Sequence, residues 1–443
     1  MNATFVTQFR FGSMERLALL SILVLAPHTK LPGLSGAYMF RPADLALLGA
    51  ALLFLHIPMR RNRHDGKTVR AMAACMLLSI LSMAWGIHHL SLLGLTTLIE
   101  RGVAISYPPI AARKLLLLVI CFLGFQFLVR SRAVDDHTLL KYWFYGLVSA
   151  CAAHVLTYAM PWDPLMKRAG VFVEGNHGGS YYLLSFFLMW WSARHNSRFG
   201  TTGMALSVVG IILAQSTTAF LILSPLAVIA HLTLPRSGRK RSLGYFCFGV
   251  LTAFVIFLVI LLFGDEIMAK LVGEELTPAS FSRYDRLSSI VSGLDMFASS
   301  PIFGVGIQGY AFALPEYVDE FIESFFDWNS RRIANNIYVE LLAEQGFVGL
   351  SALLLVIHSI TRPAFRTAKR NVLLCLAYAS VFTSWLAFPT YTISFHWIGF
   401  ALLFRLSRHE TVESTHWLPD SLPVRAKSAA ASRQDQDLRK IFN

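Results

Sequence analysis

Apolar residues run continuously along most of this chain, in stretches of about 17–22 positions broken by short polar loops. That is the length a helix needs to cross a hydrocarbon core of about 30 Å. The runs do not alternate apolar with polar positions, which argues against a transmembrane β-barrel. The pattern predicts an all-α polytopic membrane protein with about twelve transmembrane helices. They fall near residues 15–31, 42–59, 70–88, 112–130, 140–160, 179–194, 201–215, 217–234, 243–264, 336–359, 371–388 and 390–406. The first run follows Arg10 and Arg16 and reads on toward Pro27 and Pro32 without a small-residue cleavage site, so it is expected to act as an uncleaved signal anchor. The expected organisation is a membrane unit over 1–264, a long polar loop over 265–335, a second membrane unit over 336–406, and a disordered tail over 407–443.

Charge in the loops gives an orientation. With the N-terminus inside, the inner loops carry Arg60, Arg61 and Arg63; Arg130 and Arg132; Arg194 and Arg198; Arg236, Arg239 and Lys240; and Arg362, Arg366 and Lys369. Apart from Lys167 and Arg168, the outer loops at 162–178, 214–217 and 388–390 are nearly free of positive charge. The positive-inside rule then places both termini in the cytoplasm and the 265–335 loop on the opposite face.

Composition agrees: 55% of residues are hydrophobic and 15% charged, against roughly 25% charged in soluble domains. The net charge of +13 is accounted for by the basic inner loops, so nucleic acid is not expected as a partner. Cys75, Cys121, Cys151, Cys247 and Cys375 lie in or beside apolar runs with no CxxC spacing, and read as small buried residues. No metal or other cofactor is expected. The two halves show no internal repeat, and the long loop comes late in the chain, which argues against a paired-halves transporter.

Three polar constellations stand out. Lys167, Arg168, Glu174, Asn176 and His177 crowd one outer loop, among glycines that permit tight turns. Arg168 reads either as a residue snorkelling to headgroups or as a guanidinium presented to a phosphate. His177 reads as structural or functional. Gln215-Ser216-Thr217-Thr218 reads as a helix cap or as the lining of a polar cavity. The third is the loop that begins Ser282-Arg283-Tyr284-Asp285-Arg286. Here Ile290, Leu294 and Phe297 predict an amphipathic helix, and Arg283 and Arg286, three apart, share a face able to cradle a diphosphate. The glycines of Pro301-Ile-Phe-Gly304-Val-Gly306-Ile-Gln-Gly309 lack a following Gly-Lys-Ser/Thr and predict a tight or re-entrant turn rather than a nucleotide loop. Glu316, Asp319, Glu320, Glu323 and Asp327, interleaved with aromatics, predict a surface helix with a glycan path as a second reading. Asn335 and Asn336 follow at the mouth of the next span.

Arg168…Gly170-Val-Phe-Val-Glu174-Gly-Asn176-His177, Arg283-Tyr-Asp-Arg286…Ser300-Pro-Ile-Phe-Gly304-Val-Gly306, and Asn336-Ile-Tyr338-Val-Glu340…Glu344-Gln-Gly346 together resemble the O-antigen ligase and polymerase superfamily, over residues 165–355. The resemblance implies a bacterial inner-membrane enzyme, active on the periplasmic face. It would transfer glycan from undecaprenyl diphosphate to an acceptor, without metal or nucleotide. Polymerases extend a lipid-linked repeat; ligases deliver to lipid A-core.

By the same resemblance Arg168 and either Arg283 or Arg286 hold the diphosphate. Glu174 is the first candidate base, with His177 and Asp285 behind it. Lys167, Asn176, Asp285, Asn335, Asn336 and Tyr338 are candidate substrate contacts. Ligases carry His-Asn where this chain has Asn335-Asn336, and Asn335 cannot accept a proton at neutral pH. The expectation is therefore a polymerase of O-antigen, capsule or exopolysaccharide, with a ligase second and a transporter or export component third. The implied partners are the undecaprenyl-diphosphate-linked glycan, membrane lipid, a flippase and a chain-length regulator.

Overall fold

The computed structural model describes residues 3–29, 41–56, 65–100, 103–160, 164–195, 197–234, 278–318, 334–368, 371–387 and 391–416. The described residues are predominantly helical. The first half holds α1 (Ala3–Leu25), α2 (Pro42–His56), α3 (Asp65–Leu92), α4 (Tyr107–Arg130), α5 (Asp136–Ala159), the short α6 (Pro164–Ala169), α7 (Gly175–Arg194), α8 (Arg198–Ala214) and α9 (Thr217–Thr233). The second holds α10 (Pro278–Ser299), the single turn α11 (Tyr310–Ala313), α12 (Ile337–Arg366), α13 (Val372–Ser384) and α14 (Ser394–His416).

Among the described residues four helices are long and apolar enough to cross a membrane, within α3, α4, α5 and α12, and the chain is a multi-pass membrane protein. The expectation of about twelve spans is met only to that extent. The helices α2, α8, α9 and α13 are apolar but shorter, at 10–17 residues. The expected span at 243–264, most of the acidic run and the 417–443 part of the tail lie outside the described residues.

Two sequence expectations are corrected. The chain is not wholly helical: β1 (Thr97–Glu100) and β2 (Val103–Ser106) pair antiparallel between α3 and α4, with Thr97 opposite Ser106 and Leu98 opposite Ile105. Thr97, Ile99, Val103 and Ile105 are β-branched and favour extended backbone. Leu98 and Ile105 pack into a small core with Val305, Ile307 and Phe312.

The second correction concerns α10. Its buried face is not Ile290, Leu294 and Phe297 but Ser288, Ser289, Ser292, Gly293 and Met296; Leu294 is 44% exposed. Gly293 lies against Val339 and Ala343 of α12. Small residues let two helices approach closely, and a membrane bundle selects them at contacts where a soluble protein would select bulk.

Polar side chains gather at one end of the bundle, where α2, α4, α7, α12 and α14 begin and α5 and α13 end. Lys114 meets Glu340, Ser180 meets both Ser384 and His396, and Asp44 meets Ser394. At the other end Arg405 of α14 pairs with Asp136 at 2.5 Å and donates to the carbonyls of Ser131 (2.6 Å) and Val134 (2.7 Å), closing the α4–α5 loop.

Candidate active site

The helix α6 presents Lys167 and Arg168 at the polar end. Both are half-buried. The Arg168 side chain lies across the start of α7, and its Nε donates to the carbonyl of Ala214 at 3.3 Å. Only glycine fits beneath it: a Cβ on Gly175 would come within 2.7 Å of that Nε and 2.6 Å of the Ala214 oxygen. Glu174 is the N-cap residue of α7. Arg286, on α10, acts electrostatically on both Arg168 and Glu174. Residues more than a hundred positions apart thus converge as two guanidinium groups and one carboxylate.

The environment tunes both kinds of group. Glu174 is exposed at the surface, yet the protein packed around it desolvates it and raises its carboxyl pKa; Arg286 and Arg168 pull it back in part. Burial and the like charge of Arg286 lower the Arg168 pKa, opposed by Glu174 and Tyr158. Among the described residues the group sets two guanidinium groups against one carboxylate.

His177 is 2% exposed inside α7, and its electrostatic neighbours are Arg41 and His396. Asn176 is buried and accepts from Ser216 Oγ at 3.3 Å, joining α7 to α9. Ser216 also caps α9 by accepting from the Ala219 N–H. Of its two sequence readings, the cap is the one seen. Asn336 is the N-cap of α12, its Oδ1 accepting from Tyr338 N at 2.9 Å and Val339 N at 3.2 Å. Tyr338 donates its hydroxyl to the Phe382 carbonyl at 3.0 Å. Asn335 is half-buried just before that cap. Arg283 and Asp285 fall in the first turns of α10, where only the backbone is described.

The glycine turn is a clip. At Gly346 (φ 62°) α12 kinks, and the Phe347 and Val348 N–H groups donate instead to the carbonyls of Pro301 (2.8 Å) and Ile302 (3.3 Å). Val305 N donates back to the Ala343 carbonyl at 2.8 Å. From α3, Trp85 Nε1 donates to Gly304 O at 2.9 Å and Ser82 Oγ to Glu344 O at 3.1 Å. Gly304 and Gly306 take φ of 64° and 101°, left-handed backbone that disfavours a side chain. The Pro-Ile-Phe-Gly-Val-Gly and Glu-Gln-Gly segments therefore complete one another's hydrogen bonding and fix α10, with Arg286, against α12.

One buried cluster was not anticipated from sequence. Lys114 Nζ pairs with Glu340 and, at 2.7 Å, with Glu344; the three side chains are at most 2% exposed. The ammonium lies 5.0 Å from the Tyr391 ring centre. Gln345 donates to the Tyr391 hydroxyl and accepts from Ser79 Oγ at 2.9 Å. The available signal was a lysine inside one apolar run and glutamates at i, i+4 inside another.

A second buried chain is directional. Trp385 Nε1, which can only donate, gives to His396 Nδ1 at 3.2 Å, so the neutral ring carries its proton on Nε2. That nitrogen donates to Ser180 Oγ at 3.0 Å, Ser180 to Ser384 at 2.8 Å, and Ser384 to the Val381 carbonyl at 2.7 Å.

Among the described residues, no group of three or more His, Cys, Asp and Glu side chains is placed to hold a metal ion. No curated protein matches the chain. Residues 202–354, from within α8 to the middle of α12, match the family model described as O-antigen ligase. That stretch holds Arg286, the glycine clip and both buried glutamates, and its match is consistent with the superfamily that the sequence resembles.

Proposed function

We propose that this protein is a polysaccharide polymerase that transfers glycan from undecaprenyl diphosphate to a lipid-linked acceptor. The polar end faces the periplasm and both termini lie in the cytoplasm. The observation that carries the reading is that Arg168, beside Gly175 at the start of α7, and Arg286 of α10 both act electrostatically on the surface carboxylate Glu174. In the transfer, the acceptor oxygen forms a bond to the anomeric carbon as the bond from that carbon to the carrier phosphate breaks. The departing electron pair stays on the diphosphate, and the acceptor proton goes to a base. Negative charge therefore grows on phosphate oxygens, where fixed guanidinium groups stabilise it most. Arg168 and Arg286 are suited to that role, and guanidinium forks match phosphate geometry better than ammonium groups do. Glu174 is the base: burial raises its pKa, which strengthens its carboxylate as a proton acceptor.

The polymerase is preferred over the ligase because Asn335 offers no titrating group and Asn336 is engaged as a helix cap. The description of the matched family favours the ligase as second reading. Gels of surface carbohydrate from a deletion strain separate them. Loss of a polymerase leaves single repeats, whereas loss of a ligase leaves long polymer on the carrier. An Arg168→Ala or Arg286→Ala protein that inserts normally and retains full polymer formation overturns the transferase mechanism.

A further inference from the structure

The helix α6 is only six residues long, so its last carbonyls depend on groups outside the helix. A side chain of α5 supplies a partner for the last of them: His154 Nε2 lies 3.1 Å from the Arg168 carbonyl oxygen. Thr157 Oγ1 lies 3.3 Å from the Lys167 carbonyl but donates within α5, to the His154 carbonyl at 2.6 Å. The His154 ring is fully buried, and its Nδ1 lies 3.2 Å from the Tyr182 hydroxyl. A carbonyl only accepts, so Nε2 carries the proton. Nδ1 is then the acceptor, and the Tyr182 O–H points at it. The rings of Tyr158 and Tyr182 each lie with their centres 6.1 Å from that of the imidazole, at 29° and 23°, and Gly170 (φ 59°) packs against it, where a Cβ would come within 2.7 Å. Rotamer, tautomer and height of the imidazole are all set.

We propose that His154, oriented by Tyr182, is the positioning residue that sets Arg168 for its diphosphate contact. Arg168 is held at two points, its carbonyl by His154 and its Nε by the Ala214 carbonyl. Between them these fix where the guanidinium stands relative to Glu174 and Arg286. This inference rests on the reading of Arg168 as a diphosphate ligand.

The test measures binding of undecaprenyl diphosphate by the purified full-length protein in lipid nanodiscs, alongside its melting temperature. His154→Leu weakens binding roughly tenfold, the scale of one displaced charge-assisted contact. His154→Gln, whose amide nitrogen sits near the Nε2 position, stays within about twofold of the parent. Tyr182→Phe weakens binding in the parent but adds nothing to His154→Gln, which needs no tautomer selection. In an Arg168→Ala background, His154→Leu has no further effect. If Arg168→Ala alone binds as tightly as the parent, the diphosphate role of Arg168 falls and nothing remains to be positioned. If Arg168→Ala weakens binding and His154→Leu either does not, or adds its full effect on top, the positioning role is overturned while the arginine role stands. If His154→Leu does not fold, the His154→Gln and Tyr182→Phe pair decides. Equal losses in both variants at unchanged melting temperature overturn the donor assignment.

Discussion

Lys114, Glu340 and Glu344 on one side, and Arg168, Glu174 and Arg286 on the other, are made of the same materials at the same end of one bundle. Their arithmetic is inverted. The first group has one cation between two carboxylates and is at most 2% exposed. The second has two cations against one carboxylate and opens to the surface. Charges that meet their match inside the protein brace helices. On the reading proposed above, charges in surplus at the surface are the ones suited to a partner of opposite sign. Position in a polar cluster does not separate the two roles; the local balance of charge does.

The comparison can be broken most forcefully from the buried side. Lys114→Met leaves two carboxylates buried together, and removing one partner of a buried pair costs about 3–5 kcal/mol. The expected result is a large fall in melting temperature or yield in detergent. Replacing all three charges, as Lys114→Met with Glu340→Gln and Glu344→Gln, recovers most of it. If the triple variant is as stable as the parent but inactive, the buried group is chemical after all. On the open side, Arg168→Ala or Arg286→Ala keeps the melting temperature and removes about 2–4 kcal/mol of transition-state stabilisation, a fall on the order of 10²–10³ in the rate of polymer formation. Arg168→Lys recovers only part of that rate, because an ammonium lacks the planar fork.

Acidity tests Glu174 alone. The activity needs the carboxylate ionised, so rate falls as pH drops through its pKa. Burial raises that pKa, so the acid limb lies above the range of an ordinary exposed glutamate. Glu174→Gln abolishes the limb together with most of the rate. A limb unchanged in that variant assigns the base to another residue. The smallest effect belongs to Asn336. Asn336→Ala loses a helix cap, about 1 kcal/mol of stability, while Asn336→Asp keeps it. A loss of transfer in Asn336→Asp at full stability would return this residue to substrate contact.

What could be read from the sequence follows from the same physics. Apolar runs announce membrane helices because every backbone group in lipid must be satisfied within its own segment. Arg168 and Glu174 were legible as charges among glycines in one loop, and Arg286 as one of two arginines sharing a helical face. The buried face of α10 was not, because amphipathic reading assumes that bulk goes inward. In a bundle with small-residue contacts, Ser288, Ser292 and Gly293 go inward and Leu294 outward. The bond of Asn176 to Ser216 and the capping of α12 by Asn336 could not be seen in one dimension. The strand pair at Thr97–Ser106 was hidden by its brevity between two long helices.

The buried lysine also sets a timetable. Glu340 lies 226 positions after Lys114 in the chain. At about 5–20 residues per second, the helix that carries the lysine waits roughly 10–45 s for its counter-ion to be synthesised. During that interval α4 holds an unmatched ammonium eight residues into a helix bound for the bilayer. The flexible stem of Lys114 can keep its head in water at the membrane surface until then. Assembly of this end of the bundle is thus a late event in biogenesis. A chain truncated before α12 would leave α4 poorly anchored, an easy target for membrane quality control.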